Sequence, residues 1–170
     1  IKKSFKSQAK CLNSYVDFFY LDVMSSLKEC ILGISSIKSF KKDFLVGIHI
    51  RKNGKLPSGE NLLSVVKKIE KYKPMGIIVS CVSIEDVAFV IKGLRRLKTP
   101  YGFKINAFEH IPAGWKPDSN NPKVQLGKRD DLTPNKFAKI CIKFNKLGAN
   151  ILGGCCEITP SHIKKLKNLM

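Results

Sequence analysis

No run in the 170 residues approaches the roughly 20 consecutive apolar positions that a membrane-spanning helix needs, so no membrane partner is expected. The opening stretch, IKKSFKSQAK, has no apolar core of the secretory type. A reducing cytoplasm is therefore the expected location, with thiols rather than disulfides. An initiating Met is also missing, and the expectation is a processed or incomplete chain. Neither GxGxxG nor GxxxxGK(S/T) occurs at any strand-to-helix turn, which removes the main support for a nucleotide-binding doubly wound sheet. Acidic residues are scarce, 13 against 31 Lys plus Arg, for a net charge of +18. Arginine is scarce too, with only Arg51, Arg95, Arg96 and Arg129. The excess lies in lysines spread through every segment, with no aromatic-interleaved basic motif of the RNA-binding kind. That pattern describes a solvated coat that adheres to polyanions at low salt, with no specific nucleic-acid partner. A basic nucleic-acid-binding domain is the least supported reading.

What is present is ordinary for a globular chain: 44% hydrophobic and 26% charged residues, enough for one domain over 1–170. Apolar periodicity alternates along the sequence. A helical stripe at Ile1, Phe5, Leu12 and Tyr15 precedes the apolar run VDFFYLDVM. A second stripe at Leu27, Cys30, Ile31, Ile34 and Ile37 precedes FLVGIHI. Leu62, Val66, Ile69 and Tyr72 mark a third helix, with Ser58 as its expected cap. MGIIVSC reads as a strand, followed by a helix with Ser83 and Asp86 in capping-box spacing. GFKINAF is the next strand. After a long polar stretch, 109–132, Thr133-Pro134 opens a helix, ANILGG forms a strand, and Thr159-Pro160 opens the last helix. Five strands separated by helices predict an α/β fold of βαβ units with a parallel sheet. Five units cannot close an eight-stranded barrel, so either the sheet is open or part of a barrel is absent.

Six cysteines occur. Cys11, Cys30 and Cys141 fall on apolar helix faces and are expected to pack. Cys81 ends the third strand, and Cys155-Cys156 end the fifth. In parallel α/β folds these strand ends share one face, so the three thiols can converge across the sequence gap. Three protein ligands with an open fourth position describe a catalytic zinc site. Buried thiols with an accidental doublet satisfy the same spacing, and the spacing alone does not separate the two. Gly153-Gly154 is expected to act as a hinge that lets both cysteines face one point.

The segment GGCCEITPSHI resembles the GGCC-x-T/V-T/G-P-x-H-I signature of the homocysteine S-methyltransferase family, which are (β/α)8-barrel enzymes. GIIVSCVSIEDV is similar to the family's G-I/V-x-x-N-C-x-S-P-E-x-V/I, and RKNGKLPSGENL to its D/G-G-x-L-x-D/S-G-x-x-L loop. KINAFEHIPAGW resembles the strand carrying P-N-A/S-x-E, and VDFFYLDVMSSLKE lines up with D-L/F-L/I-x-x-E-T-x-x-x-x-E. The matches run in family order across the chain but correspond to barrel strands four to eight. The family's D-G-G/A-M/T-G-T motif and N-T-Y/F segment have no counterpart, which implies a partial TIM barrel of five βα units.

The resemblance implies Cys81, Cys155 and Cys156 as ligands of Zn2+, and homocysteine with a methyl donor as substrates. The donor would be S-methylmethionine, S-adenosylmethionine or betaine, and the product methionine. Asp22 stands where the family carries the Glu that binds the homocysteine ammonium, and Ser80 where it carries Asn. Asn106 is a candidate for hydrogen bonding to substrate or donor, or else for capping the strand-to-loop turn. The chemistry needs no general base, so no residue is assigned as catalytic, and His49, His110 and His162 are expected to be structural. The 109–132 stretch with Trp115 is expected on the functional face, either as a loop that closes over the donor or as a polar surface excursion. The alternative is a non-catalytic fragment or subunit piece that binds zinc but needs the missing N-terminal part for activity. An open five-stranded sheet is also expected to self-associate through its edges.

Overall fold

The computed structural model describes residues 1–109 and 126–170, so His110 and Trp115 lie outside the described residues. The element order is α1 (Lys2–Leu12), β1 (Phe19–Met24), α2 (Leu27–Ile37), β2 (Phe44–Ile48), α3 (Leu62–Ile69), β3 (Gly76–Val82), α4 (Ile84–Leu94), β4 (Tyr101–Ile105), α5 (Pro134–Lys146), β5 (Ile151–Gly154) and α6 (Pro160–Lys167). The five strands pair in chain order, β1-β2-β3-β4-β5, and every pairing is parallel. Strand order that advances in one direction, with crossovers of one hand, places all the connecting helices on one face. The sheet is α/β, as expected, and it is open rather than closed.

Alternation along the strands confirms the one-sided arrangement. Phe19 and Leu21, Val46 and Ile48, Ile77 and Val79, and Tyr101, Phe103 and Ile105 all belong to the buried apolar core. They meet Cys30, Ile34, Leu62, Val66, Val87, Ile91, Phe137 and Phe144 from the helices. The intervening residues line the other face: Tyr20 and Asp22, Leu45 and Gly47, Ile78 and Ser80, Lys104, and Gly153. Tyr20, Asp22, Leu45, Lys104 and Gly153 are only half-buried, because among the described residues no helix covers them.

That uncovered face is concave. Three inter-strand steps separate β1 from β4, roughly 14 Å along a flat sheet. Asp22 of β1 nevertheless forms an ion pair with Lys104 of β4. The pair passes over Gly47 of β2, where a Cβ would lie 2.5 Å from Ser80 Oγ, 2.7 Å from Tyr20 Oη and 2.8 Å from Asp22 Oδ1. Curvature and a missing side chain together allow the contact.

Helix starts follow local chemistry at most sites. Ser83 Oγ accepts from Asp86 N–H and donates to Asp86 Oδ2, and Thr133 Oγ1 accepts from Lys136 N–H. The cap of α3 differs from expectation: Asn61, not Ser58, accepts from Leu63 and Ser64 N–H. Ser58 instead donates to Glu60 Oε2, and its own N–H donates to Ser25 O. The stripe expected on α1 is buried only in part. Of its four positions only Phe5 is half-buried and packs against the core, beside the buried Ala9, while Ile1, Leu12 and Tyr15 are exposed. Cys30 and Cys141 are fully buried as expected, whereas Cys11 is exposed. Among the described residues no helix is long and apolar enough to cross a membrane.

Candidate metal centre

Regular alternation would aim Cys81 into the helix layer, because its neighbour Ser80 faces the open side. A register shift between Ser80 and Val82 breaks that alternation, and Cys81 sits there with φ +54°. A left-handed non-glycine residue at a strand end is a strained conformation, of the kind found at functional positions. An equivalent irregularity occurs after Asp22, where Val23 has φ +57°.

Cys155 and Cys156 are placed by the end of β5. Cys155 N–H donates to Ile105 O at 2.7 Å, and Ala107 N–H donates to Cys156 O at 3.0 Å. Gly153 and Gly154 are regular strand residues in register with Lys104 and Ile105, and neither has a positive φ. The expected glycine hinge is therefore absent. The left-handed turn falls on Glu157, φ +63°. Gly154 is required for a different reason: a Cβ there would overlap the Ile158 side chain.

The result is one sulfur cluster. Cys81 Sγ lies 4.0 Å from Cys156 Sγ, Cys155 Sγ lies 3.8 Å from Cys156 Sγ, and all three fall within 4.8 Å of one another. A disulfide needs about 2.05 Å, so these are separate thiols. Zinc–sulfur bonds of about 2.3 Å in a tetrahedron put sulfurs about 3.8 Å apart. The donor set and its spacing fit a zinc ion with one open position.

The thiols also share charge. Cys155 is pushed down to about 6, first by a hydrogen bond from Cys81, with its partial burial opposing and the Lys104 ammonium helping. Cys81 is held above the usual thiol range by its bond to Cys155 and by burial, and Cys156 is raised by burial and by the Cys155 charge. Near pH 7 the metal-free trio thus carries one thiolate and two thiols. Loading a divalent ion must release the two remaining protons. Apparent affinity for Zn2+ or Co2+ is expected to rise about a hundredfold per pH unit between pH 7 and 8. Below about pH 6, where Cys155 too is protonated, the slope steepens and metal is lost. Competition against a chelator across this range measures the slope, and a slope of one proton or none contradicts the charge assignment.

Asn106 is buried, and both ends of its amide are engaged. Nδ2 donates to Cys81 Sγ at 3.7 Å, and Oδ1 accepts from Phe108 N–H at 3.3 Å. It braces a sulfur and caps the turn at once. His49 Nδ1 donates to Ser80 O at 3.2 Å, tying the end of β2 to β3. His162 Nε2 donates to Leu132 O at 2.9 Å, so its Nδ1 accepts from Thr159 N–H and Oγ1–H. Buried edge-on against Phe137, it locks α6 onto the segment before α5.

Asp22 already holds an ammonium, that of Lys104. Its partial burial opposes ionisation, but Lys104 and the hydroxyls of Tyr20 and Ser80 outweigh it and hold the carboxyl below the usual range. Tyr20 Oη and Ser80 Oγ are 2.7 Å apart, and burial pushes the Tyr20 phenol up. Lys104, Tyr20 and Gly47 have no place in the motif reading. The available signal was a lysine inside GFKINAF, since a charge within an otherwise apolar parallel strand is unusual.

No curated protein matches the chain. Among solved structures, type I 3-dehydroquinate dehydratase from Clostridium difficile, bearing a covalently modified comenic acid, is similar at a TM-score of 0.54 and 9% identity. The match covers 99% of this chain and 61% of that one, so the chain spans less than two thirds of that protein's length. At such low identity the likeness is one of fold, and that fold is TIM-barrel-like. The family model described as homocysteine S-methyltransferase matches residues 1–170. With the match running over the whole sequence, the chain belongs to the homocysteine S-methyltransferase family.

Proposed function

We propose that the chain supplies barrel strands four to eight of a cytoplasmic, zinc-dependent homocysteine S-methyltransferase, which makes methionine. The observation that carries this reading is the trio Cys81, Cys155 and Cys156, gathered at the C-terminal strand ends with sulfur spacings suited to one ion. Zinc held there supplies a site where a substrate thiol ionises near neutral pH and stays electron-rich, since three thiolates already outweigh the ion's two positive charges.

The chain's own residues do the rest. Asn106 steadies Cys81 through its amide N–H. Asp22 presents a carboxylate on the uncovered face for the substrate ammonium. Gly153 leaves room beside the cluster, with nothing within 4 Å of where its Cβ would be. The sulfur lone pair attacks the donor's methyl carbon in line, and the donor's sulfur or nitrogen leaves with the bonding pair. No proton has to be taken by a side chain in that step.

A second reading has its own support. Among the described residues the sheet ends in two unpaired edges, β1 and β5, and one face is bare. Such a chain binds metal but transfers methyl groups only when further strands complete the wall, and it self-associates through its edges when alone.

Zinc-loaded chain incubated with homocysteine and, in turn, S-methylmethionine, S-adenosylmethionine and betaine is expected to form methionine with one donor and to stop on chelation. One zinc per chain without methionine from any donor selects the second reading. A chain that retains no zinc overturns both.

A further inference from the structure

Only two charged residues occur in the five strands, Asp22 in β1 and Lys104 in β4. They are paired with each other across two intervening strands. Neither is sealed in the core, since their side chains are 33% and 22% exposed on the uncovered face. Asp22 Oδ2 takes the Lys104 ammonium, while Oδ1 is buried without an aligned hydrogen-bond partner. Lys104 also lies 5.3 Å from the centroid of the Tyr20 ring. Its register partner is Gly153, two residues before Cys155, where no described residue comes within 4 Å of the side-chain position.

We propose that Lys104 is the residue that recognises the carboxylate of the substrate, so that Asp22 and Lys104 together form a receptor for an α-amino-acid head group. The proposal rests on the homocysteine reading above and adds to it the partner for the acid end. Without ligand the two side chains neutralise each other. A zwitterionic head group is itself neutral, so it inserts by partner exchange: its ammonium replaces that of Lys104 on Asp22, and its carboxylate takes Lys104. Every charge keeps a counter-charge at each stage, which avoids the cost of leaving a half-buried ion alone. The open Gly153 position joins this receptor to the sulfur trio and lets a short thiol chain run from one to the other.

The test compares two thiols on cobalt-loaded chain, followed by the thiolate-to-cobalt absorption band. Homocysteine carries the carboxylate, and 3-aminopropane-1-thiol lacks it but is otherwise the same. Wild type is expected to bind homocysteine at least about tenfold more tightly, the usual scale for one charge-assisted contact. Lys104→Met is expected to erase that preference while keeping the cobalt band, and Lys104→Arg to keep part of it. Lys104→Gln provides the same comparison if Lys104→Met fails to load cobalt. A preference that survives in Lys104→Met, or wild type that binds both thiols equally, overturns the role of Lys104 and leaves the homocysteine reading standing. Wild type that loads cobalt and binds neither thiol overturns the homocysteine reading, and this proposal with it.

Discussion

Cys81→Ala is expected to leave a folded chain that no longer retains metal. The substitution keeps a Cβ in the same left-handed conformation and removes only the sulfur, so the backbone around Ser80 and Val82 has no new demand placed on it. Structural zinc sites contribute about 10–16 kcal/mol through four ligands, and one thiolate therefore accounts for about 2.5–4 kcal/mol, roughly a hundredfold or more in affinity. Occupancy after gel filtration should fall from one ion per chain to nearly none, and any methyl transfer should fall with it. Cys155→Ala and Cys156→Ala should behave alike, since the three sulfurs form one cluster. Cys141→Ala is the control. That thiol is fully buried in α5, so its loss costs packing and leaves metal content unchanged. Full occupancy in Cys81→Ala would remove the metal centre from the account.

The parts of this site that sequence discloses are those set by local rules. Thr133-Pro134 and Ser83 cap their helices because the groups they satisfy lie within three residues. The apolar runs become strands because they alternate with amphipathic helices, and parallel order then carries Cys81 and Cys155 to one end of the sheet. Where a distant partner decides, the sequence pattern misleads. Ser58 loses the α3 cap because its N–H is held by Ser25 and its hydroxyl by Glu60, which shifts the helix start to Asn61. Gly153-Gly154 suggests a hinge by composition, yet the backbone there is ordinary strand, and the turn falls on Glu157. The left-handed φ of Cys81 has no local signature at all. Lys104 is the clearest case: a lysine in an apolar strand gains meaning only once the sheet's bare and concave face is known.

Gly102→Ala is expected to have the largest effect on stability. Gly102 of β4 lies beside Ile151 of β5, and a Cβ at 102 would overlap the Ile151 carbonyl. The obstacle is backbone, so no rotamer change relieves it; β5 must withdraw from β4. Withdrawal weakens Asn150 N–H to Tyr101 O, Cys155 N–H to Ile105 O and Ala107 N–H to Cys156 O, the bonds that place the cysteine pair. A loss of about 3 kcal/mol or more is expected in urea denaturation, within the range of severe overpacking. The same variant should lose metal affinity, although residue 102 touches none of the sulfurs. Gly153→Ala makes the same one-methyl change two residues further along the same strand pair, where the position is open. There the stability change should stay within about 1 kcal/mol and metal should be retained. If Gly102→Ala proves as stable as wild type, β5 is not held against β4 as described, and the placement of Cys155 and Cys156 falls with it. If the two variants separate as expected, the tight approach of β4 and β5 is what makes three distant cysteines into one site.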